Sequence, residues 1–166
     1  ASFNQDALTE ASKVLSDLLM FVGGSSGSTA GGVKTVTMGL VILSAVSTMR
    51  GRRQVTVFGR SISQEDISNA VSIALLVMGL SLLGAAVITV CDGCSFMNAI
   101  YETISALCTV GLTTGITPTL CTASKLILIV FMFFGRVGIM TIGVGFMMGD
   151  RAKERVQYAQ TKVMIG

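Results

Sequence analysis

The stretch Gly23-Gly24-Ser25-Ser26-Gly27-Ser28-Thr29-Ala30-Gly31-Gly32 decides how the rest of the chain is read. It holds five glycines, three serines, one threonine and one alanine, set between two apolar segments. In a soluble protein this composition makes a flexible linker. Here Val33-Lys34-Thr35 and a further apolar run follow directly, so the stretch does not join two soluble domains. A second small-residue stretch, Thr109-Val110-Gly111-Leu112-Thr113-Thr114-Gly115, has the same setting 84 residues later, counting from Gly27 to Gly111. Each follows a short amphipathic segment and precedes a long apolar one. Two backbone loops, each between a half-length and a full-length helix, predict a membrane pore built from repeats.

Composition agrees. Of 166 residues, 51% are hydrophobic and 13% charged, with a mean hydropathy of +0.75. A soluble domain carries about a quarter charged residues, so this chain belongs in lipid. It has no histidine, which removes the usual general base near neutral pH and the commonest metal ligand. That argues against an enzyme and against a structural metal. A net charge of +3 is too small to point to nucleic acid. Residues 1–6 lack the basic start and apolar core of a signal peptide, and the chain reads as a piece of a longer protein with earlier repeats upstream.

Residues 8–22 carry Val14, Leu15, Leu18, Leu19 and Val22 at helical spacing. The segment is too short and too polar, at Glu10, Ser12, Lys13 and Asp17, to cross a bilayer. Residues 33–49 form an apolar run at the lower limit of a span, with Lys34, Thr35, Thr37 and Gly39 in its first half. Arg50, Arg52, Arg53 and Arg60 follow, and residues 54–63 alternate as a short strand or hairpin would. Ser63 is a candidate cap for a helix opening on Glu65 and Asp66. Residues 67–90 contain no charge and form the clearest transmembrane helix. Residues 91–94 make a tight turn, and residues 96–108 form a second short amphipathic segment with Glu102 off its apolar face. Residues 116–124, with Pro118, lead into a last span over 126–148, interrupted chemically at Gly135-Arg136. Basic residues follow the first and last spans, while the opposite side has only Lys125. This places the arginine loop and the tail in the cytoplasm and both small-residue loops toward the outside.

Gly32-Val33-Lys34-Thr35 nearly makes the end of a phosphate-binding loop, but Val33 separates the glycine from the lysine and a helical pattern precedes. A pore has the stronger mechanism. A dehydrated cation needs a ring of oxygens, which backbone carbonyls supply. Glycine permits the dihedrals that turn carbonyls to one side, and non-helical backbone survives in a membrane only where it lines a cavity or is buried. Short helices aiming their C-terminal ends at that cavity favour a cation. Thr109, Val110, Gly111 and Leu112 are similar to the Thr-Val-Gly-Tyr of potassium filters, and Ser25, Ser26, Gly27 and Ser28 make a degenerate version. Cys91, Cys94, Cys108 and Cys121 read as packing or surface thiols, since a lone Cys-x-x-Cys with no histidine is a poor zinc site.

With residues 21–35, 109–113, 134–138 and 162–166, the chain resembles the Ktr/Trk/HKT superfamily of potassium transporters, nearest to the Ktr-type membrane subunit. The resemblance implies an all-α membrane protein of re-entrant helix–pore helix–helix repeats, about one and a half of four being present here. Residues 1–60 would hold the pore helix, filter and second helix of repeat three, residues 61–150 repeat four, and residues 151–166 a cytoplasmic tail. Gly27 and Gly111 match the filter glycines. Arg136 matches a residue beside the pore below the filter, as part of the gate. The helix after the third filter is broken in the family, its middle forming an intramembrane gate loop, which brings Lys34 and Gly39 into the expected gate. The resemblance also implies potassium as the cargo at the filter and no cofactor bound by this chain. The implied partners are a cytosolic Rossmann-type ring that binds the regulatory nucleotide, a second membrane subunit, and the lipid of a cell membrane, in bacteria the inner one. A sodium-permeable or sodium-coupled member is the alternative within the superfamily, and a non-conducting membrane scaffold the alternative outside it. For Arg136 a structural ion pair with Glu102 is the competing account.

Overall fold

The computed structural model describes residues 5–25, 31–51, 55–57 and 60–137. After a 3-10 turn at Gln5–Ala7 come α1 (Glu10–Phe21), α2 (Thr35–Met49), a hairpin of β1 (Thr56–Val57) and β2 (Arg60–Ser61), α3 (Gln64–Asp92), α4 (Phe96–Leu107) and α5 (Thr122–Val137). The chain is therefore mostly helical. The hairpin expected over 54–63 is present, with Thr56 opposite Ser61 and Val57 opposite Arg60.

The helices start where side chains satisfy their free N–H groups. Thr9 caps α1 by accepting from the Ser12 N–H at 3.3 Å, and Ser63 caps α3 by accepting from the Asp66 N–H at 3.1 Å. Each such cap contributes about 1 kcal/mol. Gly93, at φ +62, closes α3 in the left-handed conformation. The sequence puts the last helix at residue 126, but α5 begins at Thr122. Asp92, at the end of α3, accepts the Cys121 N–H and the Ser124 hydroxyl, which holds the start of α5.

Among the described residues α3 alone is long and apolar enough to cross a membrane, at 29 residues. Its outer face is apolar, with Leu75, Leu76, Leu82, Leu83 and Val90 exposed, while its buried face sets the small residues Ala70, Ser81, Gly84 and Ala85 among Ile67, Val77 and Ile88. Small residues inside let backbones approach closely, as in membrane bundles. At Gly84 the Phe131 ring of α5 occupies the space that a Cβ would need. α4 lies at the centre, touching α1, α3 and α5, and every residue from Tyr101 to Cys108 is buried.

α1 goes further and turns charged residues inward. Lys13 and Asp17 are buried, whereas Leu15, Leu18 and Leu19 are at least 60% exposed. The Lys13 ammonium donates to Asn98 Oδ1 of α4 at 3.2 Å, so the polar residues that keep the segment from spanning help to dock α1. A correction concerns α2. The expected break with an intramembrane loop does not fall between Thr35 and Met49, which form one continuous helix. Gly39 lies inside it, without a neighbour within 4 Å of where its Cβ would stand, and Lys34 occupies the cap position.

Candidate functional site

α1 and α4 are each 12 residues long, and each delivers the chain into one of the small-residue loops. Neither carries a basic residue in its last turn, so the partial negative charge of both C-terminal ends is left uncancelled there. After α4 the chain reverses through Thr109 at φ +53, and Gly111 and Gly115 follow at φ +84 and +92. Only glycine adopts such dihedrals freely. The Val110 N–H donates to the Ser105 carbonyl at 2.9 Å, and the Ser105 hydroxyl donates to the Leu112 carbonyl at 2.6 Å.

In the first loop Ser25 is exposed, while Ser26, Gly27 and Ser28 lie outside the described residues. Its flanks are joined by a parallel bridge between Val22 and Val33, with the Gly23 N–H donating to the Val33 carbonyl at 2.8 Å. The two loops touch. The Gly31 N–H donates to Thr109 Oγ1 at 2.9 Å, and a Cβ on Gly31 would stand 2.8 Å from that oxygen and 2.9 Å from the Gly135 carbonyl oxygen. Thr109 thus sits where the first loop, the second loop and α5 converge.

Beside this junction is a cavity of about 540 Å³ whose walls include Glu102, Thr109, Gly111, Leu112 and Arg136. Four of the sequence-derived site residues, Thr109, Gly111, Leu112 and Arg136, therefore share one space. Lys34, at the cap of α2, and Gly39, within it, are not among its lining residues. Val110 is exposed and lines a neighbouring cavity of about 420 Å³ with Gly23, Gly24 and Cys108.

Sequence reasoning placed Glu102 only as a candidate partner of Arg136. Its buried carboxylate accepts from the Thr113 hydroxyl at 2.5 Å, the Thr114 N–H at 3.0 Å, the Thr114 hydroxyl at 3.3 Å and the Thr117 hydroxyl at 3.1 Å. The signal was present as one acid in an apolar short helix followed by Thr113, Thr114 and Thr117. All four cysteines are free, with Cys91 exposed and Cys108 buried. Burial, and then the nearby Asp92 charge, push the Cys94 thiol above its ordinary pKa.

Residues 1–154 match the family of cation transport proteins termed TrkH. The chain is 35% identical to the Ktr system potassium uptake protein B of Bacillus subtilis (strain 168), aligning over 100% of this chain and 38% of that protein. It is 34% identical to the potassium/sodium uptake protein NtpJ of Enterococcus hirae over 96% of this chain and 36% of the relative. A potassium uptake protein B of the Ktr system from Vibrio alginolyticus is 30% identical over 100% of this chain and 37% of its own length. The chain spans less than two fifths of these relatives. It belongs to the TrkH family of membrane cation transport proteins.

Proposed function

We propose that this chain supplies two of four filter segments in a pore that carries potassium into the cell down its electrochemical gradient. The observation that carries this reading is the loop after α4. A 12-residue helix ends on a turn with Thr109 and Gly111 at positive φ, in contact through Thr109 with the first glycine-rich loop. Dehydrated potassium would be held by backbone carbonyls of the two loops and of two further repeats, with the ends of α1 and α4 adding negative potential. Arg136 would stand beside the path below the filter, as part of the gate. The names of the relatives support potassium as cargo.

In the proposed assembly the arginine-rich loop and the tail face the cytoplasm, where a nucleotide-binding ring docks, and two membrane subunits pair in a multi-pass arrangement. The discriminating experiment is Gly111→Ser in the complete protein. Nothing lies within 4 Å of a Cβ at Gly111, so the substitution acts on backbone conformation rather than by collision. Expression should hold while the ratio of potassium to sodium flux falls; an unchanged ratio would place the filter elsewhere. Sodium flux equal to potassium flux in the unaltered protein would favour the sodium-permeable reading.

A further inference from the structure

We propose that Glu102 is the positioning residue that fixes the segment leaving the filter, and so sets ion selection without touching the ion. The inference rests on the filter reading above and deepens it. Among the described residues no backbone–backbone hydrogen bond fixes residues 111–115. The segment is held instead by two side chains of α4, three residues apart and therefore on one face of the helix. Ser105 donates to the Leu112 carbonyl, and Glu102 gathers Thr113, Thr114 and Thr117. The Thr113 hydroxyl in turn accepts from the Gly115 N–H at 2.9 Å, which extends the brace to the next positive-φ glycine.

A carboxylate suits this place better than an amide or a hydroxyl. Four donors converge on it, and an ionised carboxylate is a pure acceptor with about four lone-pair sites. Glutamine in its place would present an N–H₂ group to one side of the cluster, so some donors would lose their acceptor. Alanine would leave the buried Thr114 N–H without its partner. Glu102 also lines the cavity shared by Thr109, Gly111 and Leu112, so loosening its cluster loosens the wall that contains the filter residues.

The test uses the complete protein in liposomes, measuring potassium and sodium flux per folded molecule for Glu102→Gln, Glu102→Ala, Thr113→Val, Thr117→Val and the control Gly111→Ser. The flux ratio should fall by roughly tenfold in Glu102→Ala, the scale of one lost hydrogen bond to a charged group. It should fall less in Glu102→Gln. The two valine variants remove single donors at positions that are not fully buried, and should lower the ratio at normal expression even where Glu102→Ala does not fold. If Gly111→Ser changes the ratio while none of the four others does, Glu102 is merely structural and the proposal is overturned with the filter intact. If Gly111→Ser also leaves the ratio unchanged, the filter placement falls and takes the proposal with it.

Discussion

The Gly31 N–H donates to Thr109 Oγ1 across 78 residues of sequence, at 2.9 Å, and this bond joins the two glycine-rich loops. Gly31 is buried, so its N–H has no ready substitute partner. Thr109→Val keeps the shape and removes the acceptor. The expected cost is about 1–3 kcal/mol, the penalty of a buried unsatisfied donor. Thermal unfolding of the purified complete protein should show a lowered Tm for Thr109→Val and a smaller change for Thr109→Ser, which keeps the hydroxyl. A valine variant as stable as the parent would show that the bond does not hold the loops together.

Packing between α3 and α5 depends on Gly84, where the Phe131 ring lies in the space of a missing Cβ. Gly84→Ala forces that ring to move within a core that also includes Val77, Ala85, Leu107 and Leu128. Overpacking of this kind costs about 1–3 kcal/mol. The test is a double-mutant cycle in which Phe131→Leu makes room. The pair should be more stable than Gly84→Ala alone, and additive losses would show that the ring is not the obstacle.

The elements that sequence located best are those with one strong local signal. The uncharged run from 67 to 90 became α3, and Ser63 became its cap, because length, apolarity and capping chemistry act over a few neighbouring residues. The second loop was legible for the same reason, as Gly111 and Gly115 mark positive φ. Glu102 and Asp92 were not, since their roles depend on Thr113 to Thr117 and on Cys121 and Ser124, brought together only by the fold. The buried face of α1 was not legible either, because in lipid the rule of apolar residues inward no longer applies, and Lys13 and Asp17 turn inward.

Orientation can be tested through the cysteines at the end of α3. Cys91 is exposed, Cys94 is half-buried with its thiol pKa raised, and Cys108 is buried. A raised pKa means less thiolate at a given pH, and thiolate is the form that reacts. A membrane-impermeant maleimide added to intact cells should modify Cys91 first, with Cys94 catching up as pH rises. Cys91→Ser should abolish the fast phase. Labelling confined to inside-out vesicles would reverse the proposed topology.

Arg136 decides between two accounts of the cavity it shares with Gly111 and Glu102. If its charge faces the permeation path, Arg136→Ala removes a barrier. Two unit charges ~8 Å apart at an effective dielectric of ~20 repel by about 2 kcal/mol, enough to change a rate by more than tenfold. Potassium flux per folded molecule should then rise, or persist with less dependence on the proposed regulatory ring. If Arg136 instead balances Glu102, its loss leaves a buried carboxylate uncompensated and the protein is destabilised. Yield would fall, and adding Glu102→Gln would restore it. The threonine cluster gives both Glu102 oxygens hydrogen-bond donors. Unchanged or lower flux in Arg136→Ala would count against the gate.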